Sequence, residues 1–178
     1  VLECVNLTNL NYNAGAIVRR QAHAIFFQEH KLRGQAIAKT KAFFTKNGWA
    51  MQCGPRDEST RKPNAGVGAA HRDKGGVRVV QGQRNTEEFQ KAWAAGRAEK
   101  YELDLGWDSN LMVYVPYGKS GGAKSDKDLT EAIMEAIKIE IDSEYHKPTL
   151  IIGDFNSEPG KLKAIKALLD TQQWLDIG

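Results

Sequence analysis

No run of about 18 apolar residues occurs in this 178-residue chain, so the sequence offers no helix able to span a bilayer. Cysteine is scarce, with Cys4 and Cys53 the only two. Both lie in apolar, strand-like surroundings, which favours two buried thiols over a disulfide, and no zinc-ligand spacing exists. Such usage suits a reducing compartment. No Gly-rich loop follows a strand, which argues against dinucleotide-binding and P-loop sites. Repeats and low-complexity tracts are missing too. The N-terminus lacks the basic-then-apolar pattern of a secretory signal. It also lacks methionine: the chain starts at Val1 inside a strand-like run and reads as an excerpt.

What is present is ordinary for a globular protein, with 41% hydrophobic residues, 26% charged residues and a net charge of +3. The length suits one domain with a sizeable core, so residues 1–178 are read as a single domain. The mild basicity identifies no partner by itself. Locally the excess is larger: Arg56, Arg61, Lys62, Arg72, Lys74, Arg78 and Arg84 face only Asp57, Glu58 and Asp73. That stretch is either a surface for a polyanion such as a nucleic-acid backbone or a solvated charged face.

Apolar runs and their punctuation predict the elements. Strands are expected over 1–8, 25–28, 49–53, 66–71, 77–80, 99–105, 111–115 and 149–152. Asp73-Lys74-Gly75-Gly76 reads as a hairpin turn between two of them, and Gly106-Trp107-Asp108-Ser109 as a turn between two others. Helices are expected over 11–20, from Gly34 to the stop signal Asn47-Gly48, and from Asn85, as a cap with Glu88 behind it, to Gly96. A long helix starts at Asp126 with Leu129, Ile133, Ile137 and Ile141 on one face and Pro148 as its limit. A last helix over 159–172 turns Leu162, Ile165 and Leu168 or Leu169 inward. Loops are expected at 54–65, with Pro55 and Pro63, and at 118–125. Short strands mixed with covering helices predict an α+β (layered α/β) sandwich over a doubly wound sheet.

Two segments carry chemistry. In Leu150-Ile151-Ile152-Gly153-Asp154-Phe155-Asn156 a buried strand ends in a carboxylate and an amide. On an extended segment these two point the same way. The carboxylate can take a proton or face a metal, and the amide can donate to an anion. A plain turn after a strand has the same composition. In Ala22 to Glu29 another apolar strand also ends in an acid, Glu29, followed by His30, Lys31 and Leu32. Glu29 is either a ligand for a hard divalent cation or a solvated acid paired with Lys31 or Arg33. Two strands that each deliver an acid at the carboxyl end form the pattern of a site built on a sheet scaffold.

Taken in order, Asn6, Phe27-Gln28-Glu29-His30-Lys31-Leu32, Gly66-Val67-Gly68-Ala69-Ala70, Tyr114-Val115-Pro116 and Gly153-Asp154-Phe155-Asn156 resemble the endonuclease/exonuclease/phosphatase superfamily, which includes apurinic endonucleases and DNase I. The Gln-Glu-His-Lys-Leu form and Gly96-Arg97 look like endonuclease domains of non-LTR retroelements. The resemblance covers nearly the whole chain. It implies a four-layer αββα sandwich of two mixed β-sheets flanked by helices, with the site at one end. It implies Mg²⁺, or Mn²⁺, held directly by Glu29 with Asn6 beside it. Asp154 would orient the attacking water, Asn156 would contact the scissile phosphate, and Tyr114 would donate to the phosphate. Lys31 would tune the field around Glu29. The implied activity is phosphodiester hydrolysis in DNA, with RNA as a further partner, in an intracellular or nuclear setting away from membranes. A phosphatase or sphingomyelinase-like activity, or a catalytically dead nucleic-acid-binding fragment, are the alternatives.

One departure stands out. The family carries a Ser-Asp-His segment near its C-terminus, and none occurs before Gly178. His23, His30, His71 and His146 do not substitute for it; His30 is set apart only by its position after Glu29. The expectation is a nuclease domain without its last strands, with an exposed sheet edge and weak or absent cleavage.

Overall fold

Strand β2 (Ala24–Gln28) is buried along its whole length, which requires cover on both faces. Period-2 alternation supplies it. Ile25 and Phe27 join one apolar cluster, while Ala24 and Phe26 join another. The computed structural model describes residues 1–57, 65–106, 110–121, 123–144 and 147–177. Within them β2 lies between β1 (Leu2–Asn6), which runs parallel to it, and β4 (Val67–Arg72), which runs antiparallel. Strand β3 (Trp49–Cys53) pairs antiparallel with β4 and completes a mixed sheet in the order β1-β2-β4-β3. The second mixed sheet, β5-β6-β7-β8, comprises β5 (Arg78–Gln81), β6 (Ala98–Asp104), β7 (Asn110–Pro116) and β8 (Thr149–Ile151), with β7 and β8 parallel.

Helices α1 (Leu10–Val18) and α2 (Gln35–Lys46) cover the first sheet through Leu10, Ile17 and Phe44, which share a core cluster with Trp49 of β3. The two sheets meet face to face through Phe26, Tyr101, Val113 and Val115, with the Phe26 and Tyr101 ring centroids 5.8 Å apart. Helices α3 (Glu87–Ala94), α4 (Lys124–Asp142) and α5 (Lys163–Asp170) cover the second sheet through Phe89, Ile133, Ile137 and Leu168. The architecture is the four-layer αββα sandwich that was expected.

Several local expectations are corrected. Asp73 to Gly76 turns the chain, but not as a hairpin: β4 pairs with β2 and β3, whereas Val79 pairs with Leu103 of β6. The turn therefore carries the chain from one sheet to the other, because the outer edge of β6 is the edge that Val79 can fill with its side chain in the inter-sheet core. The cap of α3 is Thr86, whose hydroxyl accepts from the Phe89 amide; Asn85 instead donates its side-chain amide to Glu144. Leu129 of α4 is exposed, since the inward stripe consists of Thr130, Ile133, Met134, Ile137 and Glu140. The segment 159–172 begins as a single 3₁₀ turn before α5. The run expected as a buried strand over 149–152 is the three-residue strand β8, and it is only half-buried because it lies at the edge of its sheet. The expected positions Arg61, Lys62, Pro63, the turn residues 107–109 and His146 lie outside the described residues.

Among the described residues, the basic stretch between Arg56 and Arg84 does not form one face. Arg72 is spent on the carbonyls of Ala22 and Arg20 and on the Trp49 ring, 4.7 Å from its guanidinium carbon. Arg84 binds the buried Glu99 at 2.8 Å and stacks 4.1 Å over Trp93. Arg56 is buried as well.

Candidate active site

Parallel pairing of β1 with β2, and of β7 with β8, places four carboxyl-terminal strand ends at one end of the sandwich. Asn6 closes β1, Glu29 follows β2, Tyr117 follows β7 and Asp154 follows β8. The two sheets are stapled there by side chains. The Asn6 amide donates to Asp154 Oδ2, and the Tyr117 hydroxyl donates to Glu29 Oε1. Each staple joins a residue of one sheet to a residue of the other.

Glu29 sits on a left-handed backbone, with φ +58, and Lys31 two residues on has φ +53. Such conformations cost energy in non-glycine residues and gather at functional sites. Here the turn is fixed from several sides. The amides of His30 and Lys31 donate to the Gly66 and Ala65 carbonyls, and the Leu10 amide donates to the His30 carbonyl. The His30 ring is the buried peg. Its Nδ1 accepts from the Leu32 amide at 3.0 Å, which leaves Nε2 to donate to the Gly54 carbonyl at 3.2 Å. Burial pushes its pKa down to about 4, so the ring is neutral at pH 7. Gly66, with φ +96, makes room for that ring: a Cβ there would lie 2.5 Å from His30 Nε2. His30 thus positions Glu29 and faces no solvent.

The Glu29 carboxylate also pairs with Lys31 at 2.7 Å. Its partial burial favours the neutral acid. The hydrogen bonds from Lys31 and Tyr117, with the charges of Lys31 and Arg97, outweigh this and hold its pKa below the usual carboxylate value. Tyr117 is shifted the other way. Burial, its bond to Glu29 and the nearby charge of Asp154 raise its pKa, so it keeps its proton and acts as a donor. The Arg97 guanidinium carbon lies 4.8 Å over the Tyr117 ring, and the Arg97 carbonyl accepts from the Tyr117 amide at 2.7 Å.

The Gly-Asp-x-Asn motif is explained by close approach. A Cβ on Gly153 would strike the Pro116 carbonyl oxygen, so glycine alone lets β8 run this close to the end of β7. Asp154 then forms an isolated parallel bridge with Tyr117. The two polar groups of the motif are not on an extended segment, as expected, but in a turn: Asn156 has φ +46, its amide donates to Asp154 Oδ1 at 3.0 Å, and its side chain donates to the Gly118 carbonyl at 3.0 Å.

Asn6, Glu29, Asp154 and Asn156 are therefore brought to the same end. Tyr114 is not. Residues of β7 alternate, and Val113, Val115 and Tyr117 face the inter-sheet core, whereas Met112 and Tyr114 face the helices. Tyr114 packs edge-on against Phe89, 5.7 Å between centroids, and its hydroxyl reaches Glu144 at 3.4 Å. Tyr117 stands where Tyr114 was expected. The signal for it was the odd spacing: residues three apart on a strand lie on opposite faces. Arg97 also went unassigned a role, and no sequence signal placed it near Glu29.

No family model and no curated protein matches the sequence; the likeness to known proteins is structural. An AP endonuclease from Archaeoglobus fulgidus superposes with a TM-score of 0.64 at 14% identity, over 96% of this chain and 70% of that one. A β-hairpin deletion mutant of the β toxin of Staphylococcus aureus gives 0.60 at 14%, over 99% and 73%. The AP endonuclease LMAP from Leishmania major gives 0.56 at 15%, over 85% of this chain and 53% of that one, so the chain spans about half the length of that protein. At such identities the likeness establishes architecture: the chain has the endonuclease/exonuclease/phosphatase-type fold.

Proposed function

We propose that the chain carries the catalytic face of a divalent-metal-dependent phosphodiesterase acting on nucleic acid, with DNA as the first candidate. The observation that carries this reading is the junction of two acids from two sheets, Glu29 and Asp154, tied together by Asn6 and Tyr117. Two structures of the same fold are AP endonucleases, which supports the substrate class.

The donor set fits a hard cation. The carboxylates of Glu29 and Asp154 and the amide oxygen of Asn6 are oxygen ligands of the kind Mg²⁺ or Mn²⁺ takes. Mg²⁺ keeps much of its water and needs only one or two carboxylates. Among the described residues no cluster of three or more His, Cys, Asp or Glu forms, so such an ion would rest largely on water and on substrate phosphate. When bound, it would neutralise the charge that grows on the phosphate oxygens. Glu29 would hold it, helped by its lowered pKa, with Asn6 alongside. Asp154 would accept a hydrogen bond from the attacking water and orient it. The Tyr117 hydroxyl, protonated at neutral pH, would donate to a phosphate oxygen. Asn156 could make the same contact on releasing Gly118.

The test is hydrolysis of a labelled oligonucleotide with Mg²⁺ or EDTA, beside calorimetric titration with Mg²⁺. The expected result is Mg²⁺-dependent cleavage that Glu29→Gln and Asp154→Asn each lower by about 100-fold or more, the size seen for lost electrostatic catalysis. Cleavage and Mg²⁺ binding both indifferent to Glu29→Gln would overturn the proposal. Faster turnover of a phosphomonoester or of sphingomyelin would move the site to another phosphoester.

A further inference from the structure

Residues 7–56 contain eight Lys and Arg and a single acid, Glu29. Helices α1 and α2 belong to this stretch and carry no acid at all. On the opposite outer layer α4 holds six acids and three lysines. The two helical layers therefore have opposite charge. Among the described residues no carboxylate pairs with Arg19, Arg33, Lys39, Lys41 or Lys46, and all five are exposed. In a solvated helix, cations usually alternate with acids at a spacing of four, as Lys138 does with Asp142 on α4. Their absence here leaves a positive field that no neighbouring acid among the described residues balances.

A groove of about 390 Å³ runs between α1 and α2, lined by Asn11, Ala14, Gly15, Lys39, Thr40 and Phe43. Gly15 keeps its wall low, and a Cβ there would meet only the Arg19 guanidinium, at 3.7 Å. Tyr12 follows the lining residue Asn11 on α1 and precedes the lining residue Gly15 by one helical turn; it is 87% exposed, which is unusual for a ring of that size. The end of the groove nearest the site is fixed, because the Leu10 amide bonds the His30 carbonyl and the Leu7 amide bonds the Gln28 carbonyl. Asn11 thus follows directly on a residue bonded to His30, the neighbour of Glu29.

We propose that this groove is the track for an unpaired stretch of nucleic acid leading to the site, with Tyr12 stacking on a base and Lys39 and Arg19 contacting phosphates. The proposal rests on the phosphodiesterase reading for its direction but not for its chemistry. An exposed ring among unpaired cations is how proteins hold single strands without reading sequence. A duplex hides the faces of its bases, so Tyr12 selects for unpaired ones. The acidic α4 layer repels the same ligand and fixes which side of the protein the strand can follow.

The experiment is fluorescence anisotropy with a labelled oligo-dT and with a hairpin duplex, in EDTA so that no cleavage occurs. It compares the wild-type chain, Tyr12→Ala, Tyr12→Phe, Lys39→Ala and, on α4, Lys127→Ala. Tyr12→Ala should weaken oligo-dT binding by about 30-fold, the middle of the range for one stacked base, with Tyr12→Phe near wild type. Lys39→Ala should weaken binding and reduce the slope of affinity against salt by about one contact, while Lys127→Ala should not weaken it. Duplex should bind less tightly than oligo-dT. Equal binding by Tyr12→Ala and wild type, an equal loss in Lys127→Ala, or capture by anionic vesicles with no affinity for oligo-dT would each overturn the proposal. Because Tyr12 is exposed, its variants should melt at the wild-type temperature. The outcome is independent of Mg²⁺-dependent hydrolysis, so oligo-dT binding without cleavage would sink the catalytic reading alone.

Discussion

His30 offers a quantitative check on how the Glu29 turn is held. Its ordinary pKa of 6.5 falls to about 4 in the folded chain. A group whose folded pKa is depressed binds fewer protons when folded than when unfolded, between those two values. For this base, stability is complete above pH 6.5, declines as pH falls toward 4 and is then constant. From pH 7 to pH 5 the two values predict a loss of about 2 kcal/mol, at 1.36 kcal/mol per pK unit. Urea unfolding at the two pH values measures it. Glu29 and Glu140 have lowered pKa values and lose their contributions only at lower pH, so these two do not obscure this window. His71 is also shifted down by burial and adds in the same direction. The His30→Gln variant isolates the share of His30: it should be less stable at pH 7 and should lose about 2 kcal/mol less between pH 7 and pH 5. Should that variant not fold, NMR titration of the wild-type ring should show no protonation above about pH 5. A His30 that titrates near 6.5, or a variant with the wild-type pH slope, would refute the buried-peg role.

Three further outcomes follow from particular contacts. Tyr117→Phe should lower hydrolysis by about 100-fold, as expected for one lost donor at the phosphate, whereas Tyr114→Phe should leave steady-state rates unchanged because that hydroxyl faces Glu144; the reverse ranking would restore Tyr114 to the site. Lys100 is fully buried and contacts both Glu140 and Glu144 at 2.7 Å, so Lys100→Met should cost about 3–5 kcal/mol, and calorimetry should show the melting temperature lowered by roughly 10 °C. Gly153→Ala forces apart the ends of β7 and β8 and should cost about 1–3 kcal/mol, with Mg²⁺ affinity falling in parallel by titration.

Much of this organisation is legible in the amino-acid order, for identifiable reasons. Strands such as Trp49–Cys53 and the stop at Asn47-Gly48 are set by local chemistry, and the structure places both as expected. That Asn6, Glu29, Asp154 and Asn156 share one end of the sandwich was legible because each closes or follows a strand with a sharp change of polarity. Tyr114 could not be settled that way: both faces of β7 are covered, so parity shows that Tyr114 and Tyr117 are opposed but not which of them opens to the site. The crossing from β4 to β5 has the residues of a hairpin turn, and only long-range packing decides that Val79 goes to the other sheet. Glu140 is hidden for the same reason. An acid in a helix is expected outside, and its partner Lys100 lies 40 residues away.

The placement of Glu29 and Asp154 on different sheets makes the inter-sheet core a ruler for the site. Neither acid is connected to the other by a strand, so their separation is fixed by how deeply Phe26, Tyr101 and Val113 interlock beneath them. A methylene added or removed in that layer, far from any reacting atom, changes the gap that a ligand must bridge. Conversely, a ligand gripped by both acids clamps one sheet to the other. Amides of both sheets should then slow together in hydrogen exchange, and the two halves of the sandwich should open as one cooperative unit rather than two.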